Sequence, residues 1–375
     1  MNVVIAGGGT AGHVLPGLAV ARLLRDGGHR ASFIGTRRGV ESRLVPAAGF
    51  DLLTIEAEPL LRTPSLSALR APLAALRAVG ECRDIIGRAD CVLGVGGYAS
   101  VPAVVAAKRE RVPLLVHEQN VVPGLANRGA ARVADRVAIS FPDSTRFFPR
   151  RSPLVVTGNP VRREILRVNE ERDGLEREAR HELGLREGRK TVLIFGGSQG
   201  ALHLDRASVG ACRLLRLRSD LQVILITGPL HLRSVSRGAP ADSDGVVLRM
   251  LDYLDRMELG YAAADLVVSR AGATTIAEVT ACGLPAVLVP YPFATGHHQE
   301  ANASALARAG AASVLKDDQL TSSSLAARIE GILDQPERMR AMADRSRRLG
   351  RPDAARSLAD AVLETAGRRS MEGPR

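Results

Sequence analysis

The chain has 375 residues and is 45 % hydrophobic, with 51 Lys and Arg against 40 Asp and Glu for a formal net charge of +11. That apolar share excludes intrinsic disorder as the overall state, and the length predicts two domains. Seven Phe, four Tyr and no Trp leave few platforms for stacking single-stranded bases, and Cys82, Cys91, Cys212 and Cys282 form no C-x-x-C pair, which argues against a zinc ribbon or a disulfide framework. The opening Met1-Asn2-Val3-Val4-Ile5-Ala6-Gly7 does not read as a signal peptide. No stretch approaches the ~18 apolar residues of a membrane span. A first strand is expected at 3–6, then a glycine loop and a helix at 17–26, with further strands at 31–34, 91–95, 114–116 and 136–139. Gly and Pro in Thr157-Gly158-Asn159-Pro160 mark a boundary, and the charged stretch 162–183 is expected to be helical. The pattern then restarts with strands at 191–195, 222–227, near Val246, 266–269 and 286–289. Short apolar runs alternating with helical stretches predict an α/β protein made of two Rossmann-like parallel-sheet domains. The tail after Arg369 is expected to be disordered.

Lys108, Lys190 and Lys316 are the only lysines, so the positive excess is arginine. A GC-rich genome accounts for the residue type. An anionic partner (nucleic acid, membrane or phosphorylated substrate) is the alternative.

Gly7-Gly8-Gly9-Thr10-Ala11-Gly12 fits G-x-G-x-x-G between a strand and a helix, where backbone N–H groups approach a diphosphate. The acidic residue that a dinucleotide site carries ~20 positions on is not at the end of the second strand. That strand ends Gly35-Thr36-Arg37-Arg38, which suits a 2′-phosphate at most. His13, at the helix entrance, is either a reactive imidazole or a helix cap. A second glycine loop, Gly196-Gly197-Ser198-Gln199-Gly200-Ala201, follows the first strand of the second half. In Ser269-Arg270-Ala271-Gly272-Ala273-Thr274-Thr275-Ile276-Ala277-Glu278, a strand ends, a turn follows and a helix opens. The N–H groups of Ala273, Thr274 and Thr275 can hold a diphosphate there. Glu278 can accept two ribose hydroxyls or simply complement the helix dipole. Gly96-Gly97-Tyr98-Ala99-Ser100 and His117-Glu118-Gln119-Asn120 also follow strands, the place where open α/β sheets bind ligands. A D-x-D at Asp242-Ser243-Asp244 reads as surface loop.

In chain order, GGTAGH (8–13), GGYAS (96–100), HEQN (117–120), GNPVR (158–162), GGSQGA (196–201), RAGATTIAE (270–278) and GLPAVLVPYP (283–292) resemble the MurG family of N-acetylglucosaminyltransferases. The resemblance runs from about residue 1 to residue 363. It implies a GT-B fold, two Rossmann-like domains facing across a cleft. Residues 1–158 would be the acceptor and membrane-associated domain, with a C-terminal helix at about 351–366 packed back on it. Residues 159–350 would bind UDP-GlcNAc. The implied reaction is inverting transfer of GlcNAc from UDP-GlcNAc to the 4-hydroxyl of MurNAc in undecaprenyl-diphospho-MurNAc-pentapeptide, lipid I to lipid II, in peptidoglycan synthesis. Its place would be the cytoplasmic face of the cell membrane, as a peripheral protein. No cofactor and no metal are implied.

Carried over by motif, Glu278 takes the ribose, Ser198 with Ala273, Thr274 and Thr275 the diphosphate, Arg162 the uridine side and Leu254 the uracil through its backbone. Gln299 meets the GlcNAc, with Thr10, Ala11, Gly12 and Asn120 from the other domain, while Tyr98 and Asn127 lie on the acceptor side. His13 is the expected base or diphosphate orienter, because a neutral imidazole suits either task. His117 and Glu118 stand in reserve. For the membrane, Leu66, Leu69, Leu73 and Leu76 form one helical stripe near Arg62, Arg70, Arg77 and Arg83, which suits an interfacial helix on anionic lipid. A core-facing stripe is the alternative. Lys108, Arg109, Arg111, Arg128, Arg132 and Arg136 would extend the basic patch.

Two rival readings remain. An NADP-dependent oxidoreductase built on the first glycine loop leaves the second loop and Glu278 without a role. A non-enzymatic membrane or nucleic-acid binder would use the charge alone. No stacking residues or groove-reading motif support nucleic acid as a partner.

Overall fold

A strand apolar at nearly every position has to be covered on both faces. The first strand, β1 (Asn2–Gly7), shows how the chain does this. Val3 and Ile5 enter one core with Val14 and Leu18 of the helix Ala11–Asp26. Val4 and Ala6 enter another, with Ala78 and Cys82 of the helix Leu66–Ile86 and Val104 of the helix Ser100–Arg109. The period of two along the strand thus sorts its side chains between two helical layers.

The computed structural model describes residues 1–56, 66–197, 200–238 and 245–371, and over 66–75 and 368–371 the backbone alone. The chain divides into two compact units. Unit 1 is Met1–Arg162 with Pro352–Arg375, and unit 2 is Arg163–Arg351.

Among the described residues, unit 1 carries seven strands: β1, β2 (Arg30–Thr36), β3 (Asp51–Ile55), β4 (Cys91–Gly96), β5 (Leu114–Glu118), β6 (Arg136–Ile139) and β7 (Leu154–Val156). All pairs are parallel, in the order β3-β2-β1-β4-β5-β6-β7. The order reverses between β1 and β4. In an open α/β sheet that reversal opens a crevice at the carboxyl ends of the strands. The helix Ala354–Met371 returns to this unit, where Leu358 and Val362 join the core of Val3 and Ile5.

Unit 2 repeats the scheme with β8 (Lys190–Phe195), β9 (Leu221–Ile226), β10 (Val247–Leu251), β11 (Leu266–Ser269), β12 (Ala286–Leu288) and β13 (Ala312–Val314). These are parallel in the order β10-β9-β8-β11-β12-β13, reversing between β8 and β11. Val192 and Ile194 pack with Leu204 and with Leu325 and Ile329 of the helix Ser322–Leu333. On the opposite face of β8, Leu193 lies against Gly260, and the Phe195 ring meets Tyr261 edge-on at 6.1 Å.

Several elements differ from expectation. The first helix starts at Ala11 rather than 17 and runs through Pro16, which has no N–H for the Gly12 carbonyl. Residues 163–183 form two helices, Arg163–Glu170 and Arg172–Leu183, parted by the non-helical Glu171 (φ −123°, ψ 23°). β3, β7 and β13 were not anticipated. The last helix continues past Arg369 to Met371, and the remainder of the expected disordered tail lies outside the described residues. All four cysteines are buried free thiols, which burial pushes up to about 12.

Candidate active site

In unit 1 the loops after β1, β4 and β5 meet at the reversal of the sheet. Thr10 caps the first helix with its carbonyl, which accepts from the N–H groups of His13 (3.1 Å) and Val14 (3.3 Å). Its Oγ1 lies 3.0 Å from His13 Nδ1. The imidazole rests against Gly96, where a Cβ would come 3.1 Å from His13 Cδ2 and 3.1 Å from Asn127 Nδ2. Gly96 also has φ +92°, so the position is closed to other residues by conformation and by space alike. Tyr98, half-buried in the next turn, lies beside Gly9. Thr10, Ala11, Gly12, His13 and Tyr98 are thereby gathered at one edge.

His117 and Glu118, the reserve candidates for the base, are held inside the sheet. They are the last residues of β5, 0 % and 1 % exposed. His117 Nε2–H donates to the Gly158 carbonyl at 3.0 Å, and Nδ1 accepts from Gln119 Nε2 at 3.3 Å. Burial pushes this imidazole down to about 4, so the ring is neutral. Glu118 Oε1 accepts from the N–H (2.8 Å) and Nδ2 (3.2 Å) of Asn120, and Oε2 from Gly124 N–H (3.1 Å) and Asn127 Nδ2 (2.8 Å). Burial raises this carboxyl above its ordinary value despite those four donors. Both side chains are framework, pinning the loop that carries Asn120 and Asn127. Asn127, 4 % exposed, is part of the same framework through His117 O (3.0 Å) and Glu118.

A residue that the motifs did not single out lies beneath the first glycine loop. Glu41 opens the helix Glu41–Ala47 and is 1 % exposed. Its Oε2 accepts from Gly9 N–H at 2.8 Å, and its Oε1 accepts from the N–H (2.9 Å) and O–H (2.8 Å) of Thr36.

In unit 2 the predicted residues again sit beyond strand ends. Gly272 (φ −67°, ψ 145°) caps the helix Ala273–Ala281, so Ala273, Thr274 and Thr275 form its first turn. Ser269 Oγ and Thr274 Oγ1 are buried without a hydrogen-bond partner among the described residues. Glu278 is the sixth residue of the helix and buried. Tyr261 O–H donates to its Oε2 at 3.0 Å. Gln299 Oε1 accepts from the N–H groups of Ala271 (3.2 Å) and Tyr291 (2.9 Å), and Asn302 Nδ2 donates to the Ala271 carbonyl at 3.1 Å. The helix His298–Arg308 thus holds both backbone polar groups of Ala271, in the turn after β11. Arg270 fastens the same turn through the carbonyls of Val289 (3.2 Å) and Pro290 (3.3 Å) and through Asp317 (2.5 Å).

Leu254, after β10, packs half-buried over Gly260. Near the second glycine loop, His231 Nδ1 lies 3.0 Å from the wholly buried Asp205, whose carboxyl burial raises to about 6. Arg162 ends the first segment of unit 1. Ser198, Asp242, Ser243, Asp244 and Arg62 lie outside the described residues, as do the side chains of Leu66, Leu69, Arg70 and Leu73.

A glycine loop at the reversal of each of two parallel sheets makes two open α/β units that bind ligands beyond their strand ends, and the matches that follow identify their class as GT-B glycosyltransferase. The sequence matches the glycosyltransferase family 28 N-terminal domain over residues 3–139 and the family 28 C-terminal domain over residues 191–358. It is 40 % identical to the UDP-N-acetylglucosamine--N-acetylmuramyl-(pentapeptide) pyrophosphoryl-undecaprenol N-acetylglucosamine transferase of Halothermothrix orenii, covering 98 % of this chain and 99 % of the relative. Against the protein of that name from Mycobacterium tuberculosis (strain H37Ra) it is 43 % identical over 98 % and 89 % of the two chains. The crystal structure of Acinetobacter baumannii MurG is similar at a TM-score of 0.78 and 29 % identity, covering 97 % of this chain and 99 % of that one. The chain belongs to the MurG family of glycosyltransferase family 28.

Proposed function

We propose that this chain transfers GlcNAc from UDP-GlcNAc to the 4-hydroxyl of MurNAc in undecaprenyl-diphospho-MurNAc-pentapeptide, converting lipid I to lipid II. The observation that carries this reading is the similarity, over almost the whole of both chains, to transferases named for that reaction. In this reading unit 2 holds the donor. Glu278, steadied by Tyr261, accepts the ribose hydroxyls. The first turn Ala273–Thr275 meets the diphosphate with backbone N–H groups and the unpartnered Thr274 hydroxyl, where a helix N-terminus favours negative charge. Gln299 spends its oxygen on the turn after β11, leaving Nε2 as the donor for the sugar. Arg162 and the Leu254 backbone serve the uridine, Ser198 the diphosphate, and Thr10, Ala11, Gly12 and Asn120 the GlcNAc. Tyr98 flanks the acceptor.

The acceptor oxygen forms a bond to the anomeric carbon as the bond from that carbon to the UDP oxygen breaks, with inversion from α to β. UDP leaves with the bonding electrons. The hydroxyl proton goes to His13. A base needs the tautomer in which Nδ1–H donates to Thr10 Oγ1, 3.0 Å away, and Nε2 carries the lone pair. Backbone N–H groups fixed before the reaction stabilise the charge that develops on the departing diphosphate.

The lipid tail calls for a membrane-facing surface, and among the described residues no helix is long and apolar enough to cross a bilayer. Leu76 is 56 % exposed, whereas Ala78, Val79, Cys82 and Ile86 of the same helix are buried. The exposure of Leu76 supports an outward-facing stripe over a core-facing one. Val101 and Val105 project from the helix Ser100–Arg109 beside exposed Lys108, and Leu125 is 75 % exposed near Arg128 and Arg132. These helices pack side by side. Exposed apolar residues ringed by arginine and lysine suit the interface of an anionic membrane, and we assign the chain to its cytoplasmic face.

The test is transfer of labelled GlcNAc to a lipid I analogue by the purified protein, with and without EDTA. The expected outcome is transfer in both. His13→Ala should lower kcat about 100-fold or more with little change in KM for UDP-GlcNAc. Glu278→Ala should raise that KM about 10- to 100-fold, the worth of hydrogen bonds to a charged group. Absence of transfer by the unmodified protein would refute the reading.

A further inference from the structure

A glycine-rich loop at a helix N-terminus ordinarily leaves its N–H groups for a bound anion. In unit 1 the anion is already part of the chain. The Glu41 carboxylate turns back from its helix under the first glycine loop and takes the Gly9 N–H, the Thr36 N–H and the Thr36 hydroxyl. Gly8, Gly35 and Gly39 enclose the side chain so closely that a Cβ on Gly8 or Gly39 would overlap the carboxylate, and one on Gly35 would overlap its Cγ. Burial acts to raise the carboxyl, but the donors from Thr36 and Gly9 outweigh it and hold the group below its ordinary value, ionised at neutral pH. Three glycines, two N–H groups and a hydroxyl shaped around one ionised oxygen pair form a built anion site with an internal occupant.

The loop so held leads directly into Thr10 and His13. Gly9 is fixed by Glu41, the Thr10 carbonyl receives the His13 N–H, and Thr10 Oγ1 meets the imidazole. We propose that Glu41 occupies the anion site of the first glycine loop in place of a ligand phosphate and is the positioning residue that sets His13 for proton transfer. The second half of this rests on the proposed function. The Gly9 N–H is thereby committed within the chain.

Transfer kinetics are compared for the wild type, Glu41→Gln and Glu41→Ala, and thermal unfolding is followed with and without sodium formate, with sodium chloride as the ionic control. Glu41→Gln keeps the shape and removes the charge. Its kcat should fall about 10- to 100-fold, the scale of a small misplacement at a reacting group, and by more than any rise in KM for UDP-GlcNAc, since Thr10, Ala11 and Gly12 of the same loop meet the donor sugar. Glu41→Ala opens a carboxylate-sized hole facing the same donors. Formate should raise its Tm and restore part of its kcat, and should do neither for the wild type. Full kcat in Glu41→Gln, a rise in KM as large as the fall in kcat, or a Glu41→Ala indifferent to formate overturns the proposal. If Glu41→Ala does not fold, the kinetics of Glu41→Gln decide. If the wild type itself transfers no GlcNAc, the functional reading fails with the positioning role, while the formate-dependent Tm still decides whether Glu41 is the loop's occupant.

Discussion

His117 is neutral because its surroundings forbid the charge. Buried at the end of β5 with both ring nitrogens engaged, it titrates at about 4 against an ordinary 6.5. A depressed histidine value stabilises the fold fully above pH 6.5, and that stabilisation is lost as pH falls toward 4. The loss is on the order of 3 kcal/mol. Asp205 acts in the opposite sense, since its carboxyl is raised from 3.8 to about 6 and acidification between those values relieves a buried charge. Urea unfolding of the wild type against His117→Asn separates the two. The stability advantage of the wild type should shrink between pH 7 and pH 4.5, and an advantage constant with pH would exclude the assignment. His117 and Glu118 also mark where residue patterns mislead. HEQN after a strand reads as a polar ligand-binding loop, but its first two residues still belong to the strand and face inward. Glu41 was illegible for a related reason. The dinucleotide pattern looks for an acid at the end of the second strand. Here the acid comes five residues after Thr36, at the next helix start, and turns toward the loop backbone. The nearby Gly35 and Gly39 are the signal that was present.

At the scale of elements, the returning helix Ala354–Met371 covers one face of the first sheet. Leu358 is 0 % exposed within the core of Val3 and Ile5. Leu358→Ala should destabilise the protein by about 2–5 kcal/mol, seen as a lower urea midpoint. The Arg136–Glu364 ion pair on the same helix is largely solvated at its carboxylate, so Glu364→Ala should cost no more than about 1 kcal/mol. A midpoint that moved more for Glu364 than for Leu358 would reverse this ranking. The strands that the sequence made visible, such as β1, β4, β8 and β9, are interior and carry unbroken apolar runs. Those it hid, β3, β7 and β13, are edge strands of three to five residues with mostly half-exposed side chains. An edge strand has only one strand neighbour and needs little apolar periodicity, so its pairing is decided by the sheet beside it. The split of 163–183 into two helices was equally silent, since Glu171 is as acceptable inside a helix as between two.

For the whole molecule, the proposed membrane contact would draw on the +11 charge through the arginines that follow Leu125 and Leu76 in the chain. Binding to vesicles containing anionic lipid should weaken steeply as salt rises. Arg128→Glu with Arg132→Glu should weaken it by about 1 kcal/mol per lost cation, and Leu125→Ser should weaken it at high salt as well. Vesicle binding indifferent to all three would place the membrane contact elsewhere. The division of the chain bears finally on how the protein is made. Unit 2 is one uninterrupted stretch, Arg163–Arg351, whereas unit 1 is completed by Pro352–Arg375. On the ribosome, the first-made sheet waits through the synthesis of the entire second unit before Leu358 and Val362 emerge to cover Val3 and Ile5. Val3 and Ile5, made before unit 2, reach their final packing only after it, and a premature stop before the closing helix leaves unit 1 with an open apolar face for quality-control machinery to find.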